Sequence, residues 1–174
     1  VREKFFYLAQ NESANNPISD MEEVWITGMG QITSIGNDRK TVTNNLLELK
    51  HGIERHPELQ GDDSPVKIAG TVKEFEVSSS DPEDWEYPEQ YHVPRAILRS
   101  FSPHVLYAWS SLRQAIDDAS LTEDELHDPY AGLYTSSGGS MRSIHKHFEK
   151  MDQRGVMACN PLAIVASIAG TLTF

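Results

Sequence analysis

Val24-Trp25-Ile26-Thr27-Gly28-Met29-Gly30-Gln31-Ile32-Thr33-Ser34-Ile35-Gly36-Asn37 is the stretch around which the rest of the chain is arranged. Its first four residues are β-branched or aromatic, glycines follow at 28, 30 and 36, and Asn37-Asp38 can cap a helix. Strand, tight loop and helix is the expected order. The spacing of Val42, Leu46 and Leu49 predicts a helix over residues 39–51 with those side chains on one face and Gly52 as its C-cap. Together these elements read as the first half of a βαβ unit.

A dinucleotide fingerprint needs a third glycine at its sixth position, where the helix packs on the strand. That position is Thr33, and the acidic residue expected about twenty positions on is replaced by a proline-containing loop at 55–65. The glycines are therefore not assigned to a cofactor. A net charge of -11 excludes a broad basic face of the kind nucleic acid requires, so any acidic partner has to meet a local basic patch. The single cysteine, Cys159, rules out an internal disulfide and fits a reducing compartment. No run approaches the roughly 18 apolar residues of a membrane helix. The stretch 1–20 is too polar for a signal-peptide core and reads as a surface extension.

Residues 66–77 alternate enough for a strand or hairpin arm, and Trp85 and Tyr87 lie among acids in a loop, where aromatics pack locally or face a partner. Ser102-Pro103 then opens the strongest helix, with Val105, Trp109, Leu112 and Ile116 on one face and Ala108, Ala115 and Ala119 permitting close packing beside it. Residues 130–135 read as a second strand running into Ser136-Ser137-Gly138-Gly139-Ser140. That turn completes neither a nucleophile elbow nor a P-loop, so the plain reading is close backbone approach. A polar helix over 141–153 carries His145 and His147, which do not share a helix face and read as solvated rather than as a zinc pair. Asn160-Pro161 starts a further helix with Leu162, Ile164, Val165 and Ile168 on an apolar side.

In that order these segments resemble the N-terminal part of the β-ketoacyl-acyl-carrier-protein synthases. The residues concerned are 26–37, then Arg99-Ser100-Phe101-Ser102 and Gln114-Ala115-Ile116-Asp117-Asp118-Ala119-Ser120-Leu121, then Gly132-Leu133 with Ser136-Ser137-Gly138-Gly139. The resemblance implies an α/β, thiolase-like fold, a layered αβαβα arrangement with a mixed sheet between helices in which both strand-then-glycine units lie. It implies residues 1–22 as an extension and 23–174 as the N-terminal ketosynthase domain, ending before the nucleophile. The implied chemistry is decarboxylative Claisen condensation of an acyl thioester with malonyl carrier protein, in fatty-acid or polyketide biosynthesis. A helix N-terminus favours the nucleophilic thiolate, and two histidines stabilise the developing oxyanion.

None of those three catalytic residues is carried onto this sequence, and Cys159, in Met157-Ala158-Cys159-Asn160-Pro161, lacks the nucleophile's pattern. What the resemblance does carry over is carrier-protein docking to Arg95, Arg99 and Arg154, and an acyl-pocket position to Gly139. Met157 stands where some members place a basic residue. The implied partners are an acyl carrier protein, whose phosphopantetheine bears the substrates without a further cofactor, and a second copy in a homodimer, in the cytoplasm. Two other readings stay open: a catalytically silent homologue that pairs with an active subunit, and a thiolase-fold enzyme acting on coenzyme A thioesters.

Overall fold

The computed structural model of the 174-residue chain describes residues 24–168; the expected extension at 1–22 and the last six residues lie outside them. Asp38 opens α1 (Arg39–Leu47) because its carboxylate accepts the Thr41 amide at 2.9 Å, satisfying a donor that the first turn leaves over. The helix ends earlier than its apolar spacing predicts, with Glu48 as C-cap and Leu49 at φ 56°. Of the three residues expected on its inward face only Val42 is buried, while Leu46 and Leu49 are exposed. Gly52 does not cap it.

β1 (Ile53–Arg55) and β2 (Ile68–Gly70) pair antiparallel, Ile53 opposite Gly70 and Arg55 opposite Ile68, so the hairpin arm expected within 66–77 is confined to three residues. α2 (Arg95–Leu98) is a single turn. α3 (Pro103–Ala119) starts at Ser102 as expected, and ends with Ser120 in the left-handed region at φ 57°. α4 (Glu123–Leu126) is held by a reciprocal capping box between Thr122 and Glu125. α5 (Met141–Arg154) and α6 (Pro161–Ala166) follow, each with a side-chain cap, Ser140 on the Ser143 amide and Asn160 on the Leu162 amide.

The core gathers on the first half of α3. Val105 and Leu106 are fully buried against Phe75, Trp85, Tyr91, Val93, Leu98, Phe101 and Ala166. Phe75 stacks on Tyr91 at 6.3 Å and meets Tyr107 edge-on at 5.4 Å, and Phe101 meets Trp109 edge-on at 6.3 Å. The aromatics among the acids thus pack locally, Trp85 being buried with its indole N–H on the Ser79 carbonyl at 2.9 Å. The buried face of α3 is centred on Val105, Leu106 and Ser110; Leu112 and Ile116 are only half-buried.

The second half of α3 meets the opening stretch instead. A Cβ on Gly28 would lie 2.8 Å from the Ala119 Cβ, and one on Gly30 would lie 2.7 Å from the Ser111 carbonyl carbon. Backbone here touches backbone. Gln114 and Asp118 reinforce the contact by accepting the Gln31 and Met29 amides at 3.0 and 3.1 Å, and Gln114 donates to the Asn37 carbonyl and the Tyr91 hydroxyl, both at 2.7 Å. Gly52 serves a similar purpose one layer away, since a Cβ there would lie 2.5 Å from the Ser34 Cβ.

The two strands expected at 24–27 and 130–135 are not formed among the described residues, whose sheet is the β1–β2 hairpin together with single bridges at Thr33–Gly36 and Glu76–Glu86. The mixed sheet between helix layers, and the common sheet for both units, are therefore absent from this part of the molecule. The physical reason is the lack of a neighbour: an apolar strand of a layered fold is held by ladders on its edges and cover on both faces. Here Val24 and Ile26 are 93% and 84% exposed, and Tyr130 and Tyr134 are 96% and 97% exposed. The expectation for His147 also fails, because its ring is buried and donates through Nδ1 to the Ser143 carbonyl at 2.8 Å.

Two measurements follow. Gly30→Ala is expected to cost about 1–3 kcal/mol by overpacking, read as a lower urea midpoint, whereas Gly138→Ala, with nothing within 4 Å of its new Cβ, leaves the midpoint within about 0.5 kcal/mol. Leu162, Val165 and Ile168 form an uncovered apolar strip on and just beyond α6, with Ala163 and Ala166 turned inward. Sedimentation velocity is expected to show concentration-dependent association that Leu162→Glu with Val165→Glu reduces; a single monomer species at all concentrations would contradict it.

Candidate functional site

The turn at 79–84 is fixed from within. Asp81 accepts the Glu83 amide at 3.2 Å, the Ser79 hydroxyl donates to Asp84 at 2.9 Å, and Pro82 and Trp85 are buried beneath. With both neighbours engaged, Glu83 projects toward α2. There Arg95 and Arg99, at i and i+4, emerge on one side of the chain while Leu98 between them is buried.

Glu83 accepts from both. Arg95 Nε donates at 2.6 Å and its Nη2 completes a bidentate pair, and Arg99 Nε and Nη2 each reach Oε1 at 2.8 Å. The hydrogen bonds from Arg95, then those from Arg99, hold the Glu83 carboxyl below the usual carboxylate range, and Glu83 in turn raises Arg95. Both guanidinium side chains remain largely exposed, at 70% and 58%. The Arg99 carbonyl accepts from Asn160, the cap of α6, at 2.6 Å.

Arg154, at the end of α5, lines a cavity of about 430 Å³ with Lys146, Lys150, Ser80, Asp81 and Asp84. The structure thus brings Arg95 and Arg99 together on Glu83, while Arg154 shares only that cavity with the neighbouring turn. Met157, just beyond, is 96% exposed and offers no charge. Sequence reasoning missed Glu83, whose partners lie 12 and 16 residues on, and Lys150, which the i, i+4 spacing with Lys146 and Arg154 along α5 makes visible.

A second cavity, about 530 Å³, opens between residues 70–80, the start of α3 and α5, lined by Phe75, Tyr107, Ser102, Ser140, Arg142 and His147 among others. Arg142 pairs with Glu58 at 2.6 Å on its wall. Gly139 does not line it, although the adjacent Ser140 does. Its φ of 73° suits a residue without a side chain, and its amide donates to the Ser137 hydroxyl at 2.9 Å. Cys159 is half-buried with its thiol on the His147 carbonyl at 3.1 Å. Among the described residues no group of three or more His, Cys, Asp or Glu is placed to hold a metal, and no helix is long and apolar enough to cross a membrane.

Residues 21–174 match the family described as "Beta-ketoacyl synthase, N-terminal domain". The chain is 32% identical over 157 residues to the 3-oxoacyl-[acyl-carrier-protein] synthase 1 of Haemophilus influenzae, covering 88% of this chain and 35% of that protein. It is 28% identical over 148 residues to the 3-oxoacyl-[acyl-carrier-protein] synthase 2 of Staphylococcus aureus, covering 84% and 33%. A solved structure, that of the ishigamide ketosynthase/chain length factor, superimposes with a TM-score of 0.55 at 25% identity, over 82% of this chain and 33% of that one. The chain thus spans about a third of the length of the relatives it matches, and the thiolase-like expectation rests on this likeness rather than on strands formed here. With a family match running through all of the described residues, the chain belongs to the β-ketoacyl synthase family, to its N-terminal domain.

Proposed function

We propose that this chain is the N-terminal portion of a β-ketoacyl-acyl-carrier-protein synthase, which condenses an acyl thioester with malonyl carrier protein in fatty-acid or polyketide biosynthesis. The observation that carries the reading is 32% identity to a 3-oxoacyl-[acyl-carrier-protein] synthase along 88% of the chain. In that reaction a cysteine thiolate takes the acyl group, malonyl loses carbon dioxide, and the resulting carbanion attacks the acyl carbonyl with expulsion of the thiolate. No residue of this sequence matches the nucleophile, and the Cys159 thiol is engaged by a backbone carbonyl. The chain's own part is therefore to supply a portion of a layered αβαβα scaffold and the surface that receives the carrier protein, within a cytoplasmic homodimer.

Arg95 and Arg99 are the centre of that surface, with Arg154 on its α5 side, and Gly139 leaves room for the acyl chain. The support is geometric: in a chain of net charge -11 two largely exposed guanidiniums stand side by side, where they can take the carboxylates of an acidic protein. The alternative is a silent homologue paired with an active subunit. A cysteine in the family's nucleophile position after Phe174 supports the enzyme; another residue there supports the silent subunit.

Arg95→Glu with Arg99→Glu is expected to weaken binding of an acyl carrier protein by about tenfold or more, since like charges then oppose each other at the contact. Titration calorimetry at low salt reads this directly, and affinity equal to that of the unaltered chain would remove the docking assignment.

A further inference from the structure

The two arginines of this surface are already occupied by an acid of the chain itself. A single carboxylate, Glu83, receives hydrogen bonds from both guanidiniums, and its side chain is less exposed than those of the two arginines. Its backbone is anchored by the Asp81 carboxylate, which accepts the Glu83 amide, and by Pro82 and Trp85, which are buried. Asp81 adds a second negative charge close to Arg95. The immediate surroundings of the arginine pair are thus nearly neutral, although exposed ion pairs of this kind exchange readily with other partners.

We infer that Glu83 is a built-in competitor for the acidic groups of the carrier protein: it holds Arg95 and Arg99 side by side in the free chain and yields them when the partner's carboxylates arrive. The inference rests on the docking reading. It adds to it a restraint on affinity: a partner gains from the arginines only what exceeds their bonds to Glu83, so one isolated carboxylate gains little. A surface offering several acids can take one guanidinium each.

The test measures binding of purified acyl carrier protein to the full chain by surface plasmon resonance at two salt concentrations. Glu83→Gln keeps the shape and removes the charge, and Glu58→Gln makes the same change in net charge at the separate Arg142 pair. Glu83→Gln is expected to bind about three- to tenfold tighter, mainly through faster association and with steeper salt dependence, while Glu58→Gln stays at the wild-type value. Unchanged or weaker binding by Glu83→Gln, or an equal gain by Glu58→Gln, overturns the inference. Arg95→Ala with Arg99→Ala separates the two readings. Loss of binding in that variant without a gain in Glu83→Gln rejects the competitor alone, and wild-type binding in it rejects the docking surface and the competitor together.

Discussion

The contact on which the structure depends is the one between the backbone of residues 28–31 and the second half of α3. It exists because Gly28 and Gly30 lack the atom that would strike Ala119 and Ser111. Extended backbone lying this close to a helix leaves its amides facing α3, and Gln114 and Asp118 take two of them. Each such bond contributes only about 0.5–1.5 kcal/mol, and it is at Gln31, where the bond is partly buried rather than exposed as at Met29, that an amide left without a partner costs more. Gln114 also binds the Asn37 carbonyl and the Tyr91 hydroxyl, so one side chain ties the opening stretch, the start of α1 and the aromatic core to a single helix.

That arrangement divides α3. Its first half is packed by large side chains, with Val105 and Leu106 at the centre of the aromatic cluster. Its second half packs by the absence of side chains. The alanines at 115 and 119 were legible in the sequence as a face permitting close approach, and so was the failure of the glycines to complete a phosphate fingerprint. What the residues did not reveal was the failure of the strands. A strand is defined by its neighbours, and the β-branched and aromatic residues at 24–27 or the run at 130–135 favour an extended backbone without supplying the ladder. The helix starts were legible at Asp38, Ser102 and Asn160 because a start signal is local, although the Ser102 hydroxyl donates to the Ala166 carbonyl and does not cap α3. The stop of α1 was not, since Gly52 is a glycine for the sake of Ser34 rather than for the helix end.

The candidate site divides along the same line between local and distant. Arg95 and Arg99 entered through the family resemblance, which also gave them a role. Their bond to Glu83 depends on how a buried proline and tryptophan set the turn at 82–84, which no spacing rule encodes. His147 shows the converse error. Its i, i+2 separation from His145 concerned only direction along the helix and said nothing of depth, and His147 lies inside with its ring on the preceding turn.

Small residues turned inward and large apolar ones turned outward recur in this chain, against the usual rule for a surface element. Gly28 and Gly30 face α3 while Val24 and Ile26 face away, and Ala163 and Ala166 are buried while Leu162 and Val165 are not. A face built this way suits the interior layers of a larger fold, in keeping with relatives of which the chain spans about a third. The charged surface around Glu83 is of the opposite kind, exposed and exchangeable. Asn160 joins the two: its carbonyl oxygen caps α6, which carries the outward apolar residues, and its amide nitrogen holds the carbonyl of Arg99. One side chain thus bonds both the first turn of α6 and the backbone of Arg99, so the helix that bears the outward apolar residues and the segment that bears the arginine pair are joined through a single residue rather than through a long path.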